Sequence, residues 1–223
     1  MNPLSISETM ETRIKIKVCG MRDAENLEKV CRLRPDMVGF IFYSGSKRYI
    51  GDDPDPVIFD IPGKGIEKVG VFVNERPETV ERIFRSYRLE LVQLHGDESP
   101  GYCSRLVTSG IPVIKAMDPA RISEPGLMES YAGSIRRLLF DTPGKGYGGT
   151  GRRFDWNLLR DYRVDVPFLL GGGIGPDDAK KIQVLEHPHL AGIDVNSRFE
   201  VEPGVKDVSK LDKFIDQIRK GEL

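Results

Sequence analysis

A cysteine and an aspartate each close a strand-like run, about 120 residues apart: Cys19 in Ile14-Lys15-Ile16-Lys17-Val18-Cys19-Gly20 and Asp141 in Arg136-Arg137-Leu138-Leu139-Phe140-Asp141-Thr142. A thiol and a carboxyl brought together at one polar mouth form a proton-transfer pair, one group acting as base and the other as acid. Side chains alternate along a strand, so with Ile14, Ile16 and Val18 facing outward, Lys15, Lys17 and Cys19 face inward. Lys17 then lies one layer below Cys19, and a nearby ammonium is expected to lower the thiol pKa from about 8.5. On pattern alone Cys19 reads equally well as a small buried hydrophobe, and Asp141 as a turn cap. Cys31 and Cys103 fall on apolar helix faces and read as packing residues.

Other chemistry-bearing residues follow the same rule of lying just past a strand-like run. Asp141 precedes Pro143-Gly-Lys-Gly-Tyr-Gly-Gly-Thr-Gly151, longer than most strand-to-helix connections and expected to close over a ligand. Gly171-Gly-Gly-Ile174 and Asp194-Val-Asn-Ser197 read either as plain turns or as a phosphate site. In the second reading backbone N–H groups of the two loops face an anion, and Asn196 and Ser197 cap a short helix. Arg48, in Tyr43-Ser-Gly-Ser-Lys-Arg48 with Ser46, is either a solvated surface group or a bidentate clamp for a carboxylate. Gln93 and His95 share one strand face, and Asn74 ends another run.

These residues need a scaffold that gathers strand ends. Apolar, β-branched runs recur at Ile14–Cys19, Asp36–Phe42, Lys68–Val73, Glu90–His95, Pro112–Ala116, Arg137–Asp141, Val166–Leu170 and Gly192–Val195. Helical spacing lies between most of them. Asp23 is placed to cap a helix with Leu27, Val30 and Cys31 inward, and Ser99 one with Cys103, Leu106 and Val107 inward. Pro77 opens a helix carrying Val80, Ile83, Phe84 and Tyr87. Pro176 opens one that buries Ala179 and Ile182, and the last carries Leu211, Phe214, Ile215 and Ile218. The prolines in 52–61 and the poor pattern in 124–132 make those two crossovers the least regular. Alternating strand and helix with short links predicts parallel strands and right-handed crossovers. Eight such units predict a single (β/α)8 barrel over 13–223, near the lower limit of roughly 200 residues for that fold. An open doubly wound sheet fits less well, because no Gly-x-Gly-x-x-Gly turn follows the first run.

Composition narrows the function. The chain has 223 residues, 39% hydrophobic and 30% charged, with 33 basic and 34 acidic residues. That suits one domain with a sizeable core and gives no basic excess for nucleic acid or an anionic membrane. No apolar run reaches the roughly 20 residues that span a bilayer. Residues 1–12 read as a flexible extension without a signal-peptide pattern. Three cysteines without CxxC spacing fit a reducing cytoplasm and neither a disulfide framework nor a zinc site.

In this order the segments resemble the phosphoribosylanthranilate isomerase family of tryptophan synthesis, from about residue 14 to 218. The resemblance is carried by Lys17-Val-Cys-Gly20, Gly39-Phe-Ile-Phe-Tyr43 with Ser46 and Arg48, Val69-Gly-Val-Phe-Val-Asn74, and Val92-Gln-Leu-His-Gly-Asp-Glu98. Further on it includes Asp141, Gly148-Gly-Thr-Gly151, Phe154-Asp-Trp156, Leu170-Gly-Gly-Gly173, Gly192-Ile-Asp-Val-Asn-Ser197 and Gly204-Val-Lys-Asp207. It implies an Amadori rearrangement of N-(5-phosphoribosyl)anthranilate, with Asp141 as general acid and Cys19 as general base and no metal or organic cofactor. It implies further that Arg48 holds the anthranilate carboxylate, and that His95, Ser46 and Gln93 line the pocket. Gly172, Gly173, Asn196 and Ser197 would bind phosphate with Asp194 nearby. A small-molecule substrate is the expected partner, with no nucleic acid, membrane or obligate protein partner. Arg198 stands where the family usually has glycine and would add a cation near the phosphate. Two alternatives are a related isomerase of histidine synthesis and a non-catalytic binder of phosphorylated metabolites. The first looks carboxylate-based at both catalytic positions and the second needs neither group, so Cys19 with Asp141 argues against both.

Overall fold

The computed structural model describes residues 13–142 and 153–221. The extension expected at 1–12 and the glycine-rich segment expected to close over a ligand lie outside these residues. Eight parallel strands close a barrel in chain order: β1 (Lys15–Val18), β2 (Met37–Ile41), β3 (Glu67–Phe72), β4 (Leu91–Leu94), β5 (Val113–Met117), β6 (Arg137–Phe140), β7 (Phe168–Leu170) and β8 (Leu190–Val195). Each expected run is one of these strands, its ends displaced by no more than two residues. β8 pairs back onto β1, with Lys17 opposite Asp194 and Val18 opposite Val195.

Six α-helices surround the strands among the described residues: α1 (Ala24–Arg32), α2 (Pro77–Ser86), α3 (Pro100–Thr108), α4 (Leu127–Ala132), α5 (Ala179–Gln183) and α6 (Val208–Lys220). Their starts follow local chemistry. Asp23 Oδ1 accepts from Asn26 N–H at 2.7 Å and Ser99 Oγ from Tyr102 N–H at 3.2 Å, satisfying donors that have no intrahelical partner. The two irregular stretches fare differently. Between β2 and β3 only a 3-10 turn forms, Pro56–Asp60, because proline lacks an N–H and cannot sustain a longer helix there. The 124–132 stretch does make a helix, short and preceded by Gly126 at φ 75°. Between β6 and β7 there is likewise a 3-10 turn, Trp156–Asp161. Val107 is exposed rather than packed beside Leu106, since one further residue turns it away from the inner stripe.

The two faces of the strands bury different sets. Ile16, Val18, Val38, Phe40 and Phe140 pack with helix residues such as Leu27, Val30, Leu211 and Phe214. Met37, Val69, Leu91, Ile114, Ala116, Leu139 and Leu169 fill the barrel interior as a separate cluster. A third cluster of Cys19, Ile41 and Val71 with Tyr43 sits above it. After β8 the chain adds an antiparallel hairpin, β9 (Glu200–Glu202) and β10 (Val205–Lys206), which the sequence pattern does not announce. No helix among the described residues is long and apolar enough to cross a membrane.

The loops that carry the β3 and β4 strand ends are pinned by a buried ion pair. Lys115 Nζ donates to Glu98 Oε2 at 3.1 Å and to the carbonyls of Gly96 and Ala116 at 2.7 and 3.0 Å. Glu98 in turn accepts from Asn74 N–H at 2.8 Å and Gly96 N–H at 3.0 Å. Removing one partner of such a pair strands a buried charge. Lys115→Met is therefore expected to lose about 3–5 kcal/mol in urea unfolding; a loss under about 1 kcal/mol would mean that the pair does not hold these loops.

Candidate active site

A cavity open to solvent occupies the C-terminal mouth of the barrel. Cys19, Ser46, Arg48, Gln93, His95, Asp141, Gly172, Gly173, Asp194, Asn196 and Ser197 all line it, so the residues expected at the site converge on one space. Asn74 does not line it. Its φ is 50° and its Oδ1 accepts from Asp97 N–H at 2.7 Å, so it ties two loops together.

Cys19 is only 3% exposed. Gly39 opposite makes room for it: a Cβ there would lie 2.8 Å from Sγ. The lysine below it is fully buried and bridges the first and last strands, with Nζ 2.9 Å from Asp194 Oδ1. Burial alone would lower the Lys17 pKa, but Asp194 and Cys19 outweigh it and raise it, so Lys17 is a fixed cation. The expected lowering of the Cys19 pKa is not the outcome. Burial pushes the thiol up, and the opposing pull of Lys17 and Lys206 does not cancel it. The sequence shows a cation two residues away but not the depth of the thiol, and desolvation is the larger influence here.

Asp141 sits across the mouth at the end of β6. Its Oδ1 accepts from Thr142 N–H at 2.8 Å, and its Oδ2 lies 3.3 Å from His95 Nε2. Gln93 Nε2 is 2.9 Å from His95 Nδ1. Gln93, His95 and Asp141 thus form one connected row of side chains along this side of the mouth.

Two loops expected to bind phosphate leave the ends of β7 and β8. Gly172 and Gly173 have φ of 75° and 71°, a left-handed pair that glycine adopts without strain. A Cβ at Gly172 would lie 2.6 Å from Thr142 Oγ1. The N–H groups of Gly172, Gly173 and Ser197 have no hydrogen-bond partner among the described residues. Asn196 is not a helix cap as expected: the chain makes only a 3-10 turn at Ser197–Phe199, and Asn196 Oδ1 instead accepts from Lys206 Nζ at 2.7 Å. Lys206 is fully buried, so its donors need acceptors nearby.

Arg48 reaches the same mouth over Gly20, whose φ is 78°; a Cβ there would come within 2.7 Å of Arg48 Cδ and 2.9 Å of Asn196 Oδ1. Ser46 Oγ accepts from Arg48 N–H at 3.1 Å and shapes that loop. The guanidinium is paired with Glu200, a partner that the sequence reading missed. Tyr43, Ile41 and Val71 add an apolar wall suited to an aromatic ring. Among the described residues no group of three His, Cys, Asp or Glu is arranged to hold a metal ion.

A parallel eight-stranded barrel with a thiol, a carboxyl and a turn of unpaired glycine N–H groups at one mouth defines a scaffold suited to proton transfer on a small anionic molecule. Residues 16–217 match the family described as N-(5'-phosphoribosyl)anthranilate isomerase. The enzyme of that name from Parabacteroides distasonis is 45% identical over 204 residues, 91% of this chain and 92% of that protein. The crystal structure of phosphoribosyl anthranilate isomerase from Thermus thermophilus superposes with a TM-score of 0.78 at 27% identity, covering 93% of this chain and 99% of that one. A second solved isomerase, in complex with reduced 1-(o-carboxyphenylamino)-1-deoxyribulose 5-phosphate, superposes at 0.71 with 31% identity over 93% and 99%. The chain belongs to the N-(5'-phosphoribosyl)anthranilate isomerase family.

The high thiol pKa has a direct readout. Alkylation needs the thiolate, so the rate at Cys19, followed by peptide mass mapping with iodoacetamide, should climb about tenfold per pH unit from neutrality to beyond the ordinary value of 9.0. A plateau below that value would show that the cations, and not burial, dominate.

Proposed function

We propose that the mouth converts N-(5-phosphoribosyl)anthranilate to 1-(2-carboxyphenylamino)-1-deoxyribulose 5-phosphate, with Asp141 as general acid and Cys19 as general base. The observation that carries the reading is the shared cavity: the thiol and the carboxyl face one space that also holds the glycine cradle. As general acid, Asp141 gives a proton to the furanose ring oxygen as the bond from C1 to that oxygen breaks. The nitrogen lone pair forms the C1=N bond, leaving a cationic imine. The Cys19 thiolate then takes the proton from C2, and the C–H electrons become the C1=C2 bond of an enolamine. Loss of the O2 proton and gain of one at C1 complete the aminoketone. Only protons move between enzyme and substrate, so the sequence of steps balances without a redox partner.

The surroundings suit these roles. His95 Nε2, 3.3 Å from Asp141 Oδ2, is placed to donate to the carboxylate that proton donation leaves. Lys17 and Lys206 favour the thiolate that must form. The N–H groups of Gly172, Gly173 and Ser197 receive the phosphate, and Arg48 receives the anthranilate carboxylate. On the same reading the catalytic unit spans 13–223, works in a reducing cytoplasm, and needs no protein partner, nucleic acid or membrane.

The test is turnover of N-(5-phosphoribosyl)anthranilate, followed by loss of its fluorescence. Cys19→Ala and Asp141→Asn should each lose about 10²- to 10⁴-fold in kcat with circular dichroism unchanged, the range for one general acid or base. Either variant staying within about tenfold of wild type would remove that residue from its role.

A further inference from the structure

Arg48 meets a carboxylate of its own chain. Its Nε lies 2.8 and 3.0 Å from Glu200 Oε1 and Oε2, and its Nη2 2.7 Å from Oε2. This bidentate pair occupies the Nε–Nη2 edge of the guanidinium. The Nη1 end has no partner among the described residues, and Arg48 lines the mouth cavity. Glu200 is held from its other side, with Oε1 accepting from Lys206 Nζ at 2.8 Å and from Gly204 N–H at 3.1 Å. The Arg48 and Glu200 side chains are 11% and 5% exposed and that of Lys206 is 0%.

The hairpin that supplies Glu200 and Lys206 stands outside the eight-unit barrel. Val201, the apolar residue of β9, is 68% exposed, so β9 does not bury an apolar side chain. What the hairpin sends inward is charge. A buried cluster of this kind costs desolvation and is weak support for stability, but it fixes geometry. With four hydrogen-bonding donors around it, counting Arg48 Nε and Nη2, Lys206 and Gly204, Glu200 cannot swing aside to free the Arg48 edge it holds. Burial alone would raise the Glu200 pKa, but Arg48 and Lys206 keep it below the ordinary carboxylate value. Two cations and one anion leave the cluster one net positive charge, which matches one substrate carboxylate.

We propose that Glu200 is a positioning residue: it locks Arg48 so that the Nη1 end faces the anthranilate carboxylate, and so sets the preference for a carboxylated aromatic amine. The inference rests on the reading of Arg48 as the carboxylate clamp. In this arrangement substrate binds beside Glu200 on the opposite side of the guanidinium and does not displace it. Lys206, through Glu200 and Asn196, couples that clamp to the cradle at the end of β8.

The test compares kcat/KM for two adducts of ribose 5-phosphate, one with anthranilate and one with aniline, which lacks the carboxylate. Their ratio on one enzyme preparation does not depend on how much of it is folded. Wild type should prefer the anthranilate adduct, and Arg48→Met should abolish the preference. Glu200→Gln should reduce it by about tenfold, chiefly through KM for the anthranilate adduct, with the loss on the aniline adduct much smaller. Glu200→Asp, which keeps the charge but shortens the reach, should also lower the ratio, and replaces Glu200→Gln if that variant does not fold. Equal losses on both adducts, or a ratio within about twofold of wild type while Arg48→Met abolishes it, would overturn the role of Glu200 alone. A ratio unmoved by Arg48→Met, or no preference in wild type, would overturn the clamp reading and this inference with it.

Discussion

Lys17 and Asp194 face each other in register where the last strand closes on the first, 2.9 Å apart and buried. Two charges withdrawn from water are costly unless each has the other, so the pair stabilises one alignment of β1 against β8 over its neighbours. That alignment decides the mouth. Cys19 lies two residues beyond Lys17 and Asn196 two beyond Asp194, so the same pair that seals the barrel sets the thiol beside the proposed phosphate loops. Gly20 then leaves space that Arg48 and Asn196 fill. Shifting β8 by one residue would turn Asp194 outward and Asn196 with it.

The electrostatics of the site follow from depth as much as from charge. Lys17, Lys206 and Arg48 surround a thiol whose burial nonetheless keeps its proton tightly held. A general base works best with a pKa near the working pH, so in its proposed task the thiol is helped by the cations around it and opposed by burial. The cations limit how far burial can raise the pKa, and Asp194 and Glu200 hold all three in fixed positions by pairing with them.

Much of this was legible in the sequence. Strand ends were readable because a parallel strand buried on both faces is a short apolar run, and the barrel topology then gathers Cys19, His95, Asp141, Gly172 and Asn196 without further information. What escaped depended on partners distant in the chain. Glu200 and Val201 give no sign of a strand with a purpose, and Glu200 meets Arg48 across 152 positions. Asn196 has a residue type suited to capping, but its oxygen is taken by Lys206 ten positions later. The prolines before β3 signalled irregularity correctly, but whether 52–61 would be coil or a 3-10 turn is set by packing of Ile58 and Phe59 into the core. The Cys19 pKa direction was misread for the same reason, since a neighbouring lysine is visible in sequence and burial is not.

On the proposed roles, one mouth presents a base and an acid to neighbouring atoms of one phosphosugar. A crystal structure of this protein with the reduced aminoketone product analogue tests this most directly. The sugar C2 is expected about 3.5 Å from Cys19 Sγ and the oxygen on C4 within hydrogen-bonding distance of Asp141, roughly 2.5–3.0 Å, with the phosphate on the N–H groups of Gly172, Gly173 and Ser197. A ligand whose C2 faces His95 or Asp194 instead, or whose phosphate lies away from the glycine cradle, would contradict it.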